Sequence, residues 1–162
     1  MIDIGGGDSR LVDHLLARGL RCLTVLDVSD LALARARARV AVLASQVSWI
    51  VADVTADTWP VPSVDIWHDR AVFHFLIEAD DRARYAARVH QAVRLGGSAI
   101  IGTFALEGPE RCSGLPVRRY DVQGLRAELG EGFTVEEAVA DAHRTPAGSV
   151  QSFLYVRLVR RR

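Results

Sequence analysis

Lysine is absent. All 20 basic side chains among the 162 residues are arginine. Chemistry that needs a lysine amine is therefore excluded: a phosphate-binding loop, a Schiff base, or the Tyr-x-x-x-Lys pair of short-chain dehydrogenases. A GC-rich coding sequence accounts for the bias, and the exclusion holds whatever its cause. Cysteine is scarce. Cys22 and Cys112 are far apart and fit no metal spacing, so no metal site is expected and a reducing cytoplasm is the simplest setting. Excess charge is missing too, with 20 acidic side chains against 20 basic ones. That argues against a general electrostatic grip on nucleic acid or a membrane surface. No apolar run is long enough to span a bilayer, and no charged-then-apolar leader is recognisable. The expectation is a cytoplasmic protein with neither nucleic-acid nor membrane partners.

What is present is an ordinary globular composition, 49% hydrophobic and 25% charged, in a length that suits one domain with one sizeable core. The stretch "IDIGGGDSRLV" opens with a short strand of about four residues. It turns through three glycines into a helix marked by Leu11, Val12, Leu15 and Leu16, with Asp8 or Ser9 as cap and Gly19 as stop. "CLTVLD" (22–27) reads as a buried strand. Ser29 or Asp30 then opens "LALARARARVAVL"; its Ala-Arg alternation imitates a strand, but the residues are strong helix formers and its arginines suit a solvated face. "VSWIVAD" (47–53) and "VDIWHD" (64–69) are the third and fourth strands, separated by the proline-broken loop "TADTWPVPS". A helix over 80–95 ends at Gly96-Gly97, and "SAIIGTF" (98–104) is the fifth strand. After a loop with Gly108, Pro109, Gly114 and Pro116 comes a short helix over 121–130. Two alternating strands follow, 133–141 and 149–160, joined by a Thr-Pro-Ala-Gly turn.

This order predicts an α/β fold: a Rossmann-like doubly wound sheet of about seven strands, mostly parallel, with the last strand antiparallel. A single domain over 1–162 is expected, and ligands should sit at the carboxyl ends of the strands. Four strand ends carry notable groups: Asp3 through Gly7, then Asp27, then Asp53, then His68, Asp69 and Arg70. Glycines let the backbone approach a ligand closely. Asp27 stands where a ribose diol would be held, since a carboxylate accepts from both hydroxyls. Asp53 suits an exocyclic adenine amine. Taken singly, each carboxylate is equally a cap or turn residue; their order is the signal. A dinucleotide site wants G-x-G-x-x-G, and its third glycine position is Arg10, where helix and strand should pack closely.

Over essentially its whole length the chain resembles the class I S-adenosylmethionine-dependent methyltransferases. "IDIGGGDS" is similar to their D-x-G-x-G-x-G loop, with Ser9 in place of the third glycine. "TVLDVS", "VADVT" and "LGGSAIIGTF" resemble their second-strand acid, third-strand acid and Gly-Gly turn. The resemblance implies S-adenosylmethionine as cofactor, with S-adenosylhomocysteine as product. It implies cofactor contacts from Asp3, Gly5, Gly6, Gly7, Asp27, Val28, Asp53, Val54 and His68. "HDRAVFHFL" followed by "DRARYA" looks most like the thiopurine-methyltransferase-like branch, though its Asp-Arg-Gly reads Asp69-Arg70-Ala71 here. In that branch the arginine helps hold an acidic small-molecule acceptor, which casts Arg70 in that role. His68, Asp69 and Arg70 are the catalytic candidates, and Arg70, His74, Tyr120 and His143 the substrate-binding ones.

Methyl transfer from a sulfonium needs alignment and exclusion of water more than a battery of catalytic groups. A base is needed only if the acceptor is protonated. Trp67 and Phe73 are candidate aromatic faces for the sulfonium. His68 and His74 flank the expected crevice as base or substrate contact, or else are satisfied core histidines. The turn bearing His143 can fold over the site. Tyr120 reaches substrate or merely packs, His14 and His90 suit exposed helix faces, and Cys112 is an inert loop thiol. Members of the class usually carry one or two helices before the first strand. Their absence implies a truncated chain, a short natural form, or cover from another subunit, with a homodimer closing the open side. Two other readings stand beside methyl transfer: a module that binds S-adenosylmethionine or S-adenosylhomocysteine with little or no catalysis, and an NAD(P)-dependent oxidoreductase.

Overall fold

Short β-branched and aromatic runs alternating with helical segments assemble here into a sheet with helices on both faces. The computed structural model describes residues 1–145 and 148–162. In chain order its strands are β1 (Ile2–Ile4), β2 (Leu23–Asp27), β3 (Val47–Val51), β4 (Val64–Arg70), β5 (Val93–Phe104), the small pair β6 (Arg111–Cys112) and β7 (Leu115–Pro116), β8 (Phe133–Arg144) and β9 (Val150–Arg160). The helices are α1 (Leu11–Ala17), α2 (Asp30–Val40), α3 (Ala79–Ala92) and α4 (Val122–Leu129). Seven strands form one sheet in the order β3-β2-β1-β4-β5-β9-β8. Strands β1 to β5 pair in parallel, and β9 runs antiparallel to both of its neighbours. The expected mostly parallel sheet with a reversed last strand is thus observed. The connection between β8 and β9 is too short for a crossover helix, which forces the reversal. Pro146 and Ala147 of the expected turn lie outside the described residues.

The sheet separates two apolar clusters. On one face α1 and α2 bury Val12, Leu16, Leu33 and Val40 against Leu23, Val25 and Val47. On the other, α3 and α4 bury Tyr85, Val89, Leu125 and Leu129 against Ile2, Ile4, Trp67, Ile101 and Val156. Side chains alternate along a strand, so Asp3 and His68 face the α1/α2 side while Trp67 and Asp69 face the α3/α4 side. Over β5, β9 and β8 the α1/α2 side carries no described helix. There Ile100, Glu137, Val139, Tyr155 and Arg157 line a shallow groove of about 180 Å³.

Several boundaries differ from the sequence reading, each for a local reason. Helix α2 ends at Val40, where Ala41 enters positive φ, and a 3-10 segment continues to Gln46. Ser29 caps α2 through Ala32 N–H at 3.2 Å. Helix α1 has no side-chain cap at Arg10, although Ser9 Oγ accepts from Leu11 N–H at 3.1 Å. Helix α3 stops at Ala92, and β5 begins at once with Val93 paired to Val64, so the strand passes through Gly96-Gly97 where a helix end was expected. The arginine face of α2 is not wholly solvated. Arg39 forks onto Asp13 at 2.8 and 3.0 Å and pins α2 to α1. His90 is half-buried, with Nε2 2.8 Å from the Leu129 carbonyl, because α3 packs on α4. Among the described residues no helix is long and apolar enough to cross a membrane.

Candidate functional site

Parallel strands bring their carboxyl ends to one edge of the sheet, and the groups read from the sequence meet there in two adjoining cavities. The first, of about 410 Å³, is walled by Ile4, Leu26, Val28, Val54, Val72, Phe75 and Leu76, with Asp27 and Asp53 also in its lining. The second, of about 460 Å³, is lined by Asp3, Gly5, Gly6, Ser9, Leu11, His68, Arg70 and Tyr155. Gly5 and Arg70 border both. A larger depression of about 550 Å³ lies around Cys22, Ser48 and Asp65 at the amino ends of the strands, where none of these groups reaches. Its size does not outweigh the convergence of polar groups at the carboxyl edge.

The glycine turn is tight. Gly5 has φ +67°, a left-handed conformation that a side chain would strain, and the N–H groups of Gly5 and Gly6 both reach the Leu26 carbonyl. Gly7 N–H donates to Asp27 Oδ2 at 3.0 Å, and Ser29 N–H donates to Asp27 Oδ1 at 2.8 Å. Each carboxylate oxygen keeps a lone pair for a further donor. Asp53 Oδ1 accepts from the N–H and hydroxyl of Thr55, leaving Oδ2 free. Asp3 is buried and receives His68 Nδ1 at 2.7 Å on Oδ1, while its Oδ2 is enclosed without a partner.

The end of β4 is held from below. Asp69 is fully buried and accepts from Val72 N–H (2.8 Å), Phe73 N–H (3.0 Å) and the Tyr85 hydroxyl (2.7 Å). Burial pushes its carboxyl up to about 6, against the downward pull of those donors. Asp69 was a catalytic candidate. The structure corrects this: it lies beneath the sheet and acts on the site by shaping the 70–73 turn. Within that turn Ala71 has φ +67°, the left-handed conformation that glycine adopts at no steric cost. Arg70 is fixed from its own side. Its Nε donates to the Tyr155 hydroxyl at 2.8 Å and its guanidinium lies 5.2 Å from the Phe153 ring centre.

Of the predicted site residues, the structure brings Asp3, Gly5, Gly6, Asp27, Val28, Asp53, Val54, His68 and Arg70 to the cavities, with Gly7 tied to them through Asp27. Three substrate candidates lie elsewhere. His74 is fully buried against the rings of Phe75 and Phe104, with both ring nitrogens unpartnered. Desolvation pulls it down to about 4, so it is a neutral core residue. Tyr120 packs on Phe73 and points its hydroxyl at Glu128, 3.4 Å away. His143, on β8, meets the edge of Phe153 at 6.0 Å and lines neither cavity. Trp67 and Phe73, the expected sulfonium neighbours, are sealed in the core around Tyr85. Tyr155 was missed. Its signal was Gly102 inside a strand: a Cβ there would come 2.6 Å from the Tyr155 ring, so the glycine makes room for the ring to reach Arg70.

A protein-family profile described as "Methyltransferase domain" matches residues 1–97. Among solved structures, the chain is similar to a 1,6-didemethyltoxoflavin-N1-methyltransferase of Burkholderia thailandensis with bound 1,6-didemethyltoxoflavin and S-adenosylhomocysteine. That pair shares 22% identity at a TM-score of 0.77, covering 99% of this chain and 70% of the other. It is similar to the N-methyltransferase NodS of Bradyrhizobium japonicum WM9 in complex with S-adenosylhomocysteine (18% identity, TM-score 0.75, 98% and 76% covered). It is also similar to an S-adenosylmethionine-dependent methyltransferase of Mesorhizobium loti (22% identity, TM-score 0.76, 98% and 89% covered). No curated protein matches in sequence.

Two outcomes follow from the β4 turn and its neighbour. Ala71→Gly relieves a left-handed alanine and is expected to raise stability by about 0.5–1 kcal/mol, read from the urea midpoint at pH 7.5. His74 has its folded pKa lowered from 6.5, so the unfolded chain binds more protons and stability falls as pH drops from 6.5 toward 4. Asp69, raised from 3.8, contributes the opposite slope between about 4 and 6. His74→Phe removes only the first contribution. Its stability relative to the parent should therefore improve by about 2–3 kcal/mol between pH 7 and 4.5, and a difference independent of pH would refute the assignment.

Proposed function

The chain belongs to the methyltransferase-domain family, and from that premise we propose that residues 1–162 form one domain that moves a methyl group from S-adenosylmethionine to a small-molecule acceptor. The observation that carries this reading is the pair of carboxylates, Asp27 and Asp53, in the wall of an apolar cavity of about 410 Å³ that opens past Gly5 toward a second, more polar one. The residues present fit the cofactor. Apolar walls from Val28, Val54 and Leu76 suit a purine, Asp27 retains lone pairs for a diol, and Asp53 Oδ2 is free for an amine. The enclosed, unpartnered Oδ2 of Asp3 calls for a donor beside the glycine turn, which an ammonium group supplies. When bound, the cofactor supplies a methyl group activated by a sulfonium and retains the carbon–sulfur bonding pair as the methyl leaves.

The chain's own task is to bind and to orient. Tyr155 and Phe153 immobilise Arg70, and no carboxylate among the described residues pairs with its guanidinium. Its free fork suits a carboxylate or similar anion on the acceptor. The Asp69-Arg70 pair is similar to that of the thiopurine-methyltransferase-like branch, which supports an acidic acceptor. The Burkholderia neighbour, solved with 1,6-didemethyltoxoflavin, supports a small one. The uncovered sheet face beside Tyr155 favours the second reading, a domain that holds the cofactor with little turnover.

Calorimetric titration with S-adenosylhomocysteine, with NAD as control, tests the proposal. Micromolar binding of the first and none of the second is expected. Asp27→Ala should weaken binding by about 1.5–3 kcal/mol, the scale of hydrogen bonds to a charged group. Its melting curve serves as the check on folding. Unchanged affinity in a folded Asp27→Ala would end the ribose assignment.

A further inference from the structure

Asp3 on β1 and His68 on β4 stand opposite each other in register, on the same face of the sheet. Their side chains meet at 2.7 Å, Nδ1 to Oδ1, with Asp3 only 5% exposed. An ionised carboxylate can only accept, so the Nδ1 of His68 carries a hydrogen, and in the neutral ring the lone pair is on Nε2. Nε2 has no protein partner and is not among the sealed nitrogens. It opens into the 460 Å³ cavity that His68 shares with Arg70 and Tyr155. The contrast with His74 is informative, since that ring has both nitrogens enclosed and nothing to orient it. A ring fixed in one tautomer by a buried carboxylate, with its other nitrogen presented to a cavity, is built to take a proton.

We infer that His68 accepts the proton of the acceptor atom during methyl transfer, and that Asp3 is its positioning residue. The acceptor atom is therefore one that carries a proton at neutral pH, a hydroxyl or thiol, on a molecule whose anionic group meets Arg70 two residues along the same strand. This rests on the methyltransferase reading above. The acceptor's lone pair forms the new bond to the methyl carbon while the carbon–sulfur pair stays on sulfur. The acceptor's proton passes to Nε2, the imidazolium is held by Asp3 Oδ1, and water in the cavity then removes that proton. The groups facing His68 are Asp3 from β1, Tyr155 from β9 and Arg70 on its own strand, while Asp69 points to the opposite face; Arg157 of β9 lies one strand further out, opposite Ile100. Ser9, Leu11 and Ile100 bring no charge.

The test combines calorimetry with S-adenosylhomocysteine and single-turnover methylation from S-adenosylmethionine. The acceptor probes are the hydroxybenzoates and the alkyl thiol 3-mercaptopropionate, with pyridine-3-carboxylate as an anionic acceptor whose nucleophile carries no proton. With the proton-bearing probes the wild-type rate should rise with pH through one ionisation. His68→Gln should slow them about 10²-fold or more relative to pyridine-3-carboxylate. Asp3→Asn should move the rising limb to lower pH, a shift that loss of packing alone does not produce. Equal slowing of both probe classes, a pH-independent rate, or a His68→Gln variant as fast as wild type overturns the inference. So does the failure of wild type to methylate any proton-bearing probe while S-adenosylhomocysteine binds. Absence of S-adenosylhomocysteine binding instead takes down the methyltransferase reading, and the inference with it.

Discussion

The carboxylate of Asp69, sealed beneath the end of β4, ties the site to the core. It takes the N–H groups of Val72 and Phe73 and the hydroxyl of Tyr85, itself joined to Trp67 Nε1 at 2.9 Å. Those bonds set the turn that follows Arg70, and the turn supplies Ala71, Val72, Phe75 and Leu76 to the wall of the 410 Å³ cavity. Arg82 of α3 secures the far side, donating to the carbonyls of Leu76 and Ile77 and pairing with Glu128 of α4. Replacing Asp69 would leave buried N–H groups unpaired, which costs about 1–3 kcal/mol for each. The wall of this cavity is therefore fixed by groups that do not line it.

The same residue types take opposite roles on the two faces. Asp3 and His68 lie on the α1/α2 side and open to a cavity; Asp69 lies one residue along β4 and is enclosed. His74, six residues beyond His68, ends in an aromatic cage where desolvation keeps it neutral. What separates the imidazole that opens to a cavity from the packed one is position: His68 sits on a strand face with Asp3 across it, and His74 sits in a 3-10 segment folded into the core. Asp27 and Asp53 likewise serve two ends at once: each orders its own turn through backbone N–H groups while its remaining lone pairs face the cavity.

Much of the edge was legible beforehand because strand order and strand ends are local properties. A glycine run after a β-branched stretch, and acids at the ends of the next apolar runs, place the groups at one rim in any parallel sheet. His74, Tyr120 and His143 were not legible, because each depends on which way a loop or a distant strand turns. Tyr155 depends on β9 being inserted between β5 and β8, so that its ring crosses Gly102. The early end of α3 depends on Val93 finding Val64, a contact between residues 29 positions apart.

Pattern and composition alone determined the fold class, the exclusion of lysine chemistry and the rim residues Asp3, Gly5, Asp27, Asp53 and Arg70. All of these follow from periodicity, residue type and chain order. Tertiary structure alone decided that Asp69 is an anchor, that Asp3 orients His68, and that Arg70 is held by Tyr155 and Phe153. The reason is physical. Burial, tautomer and partner are set by residues far apart in the chain, which only the assembled sheet brings within hydrogen-bond reach.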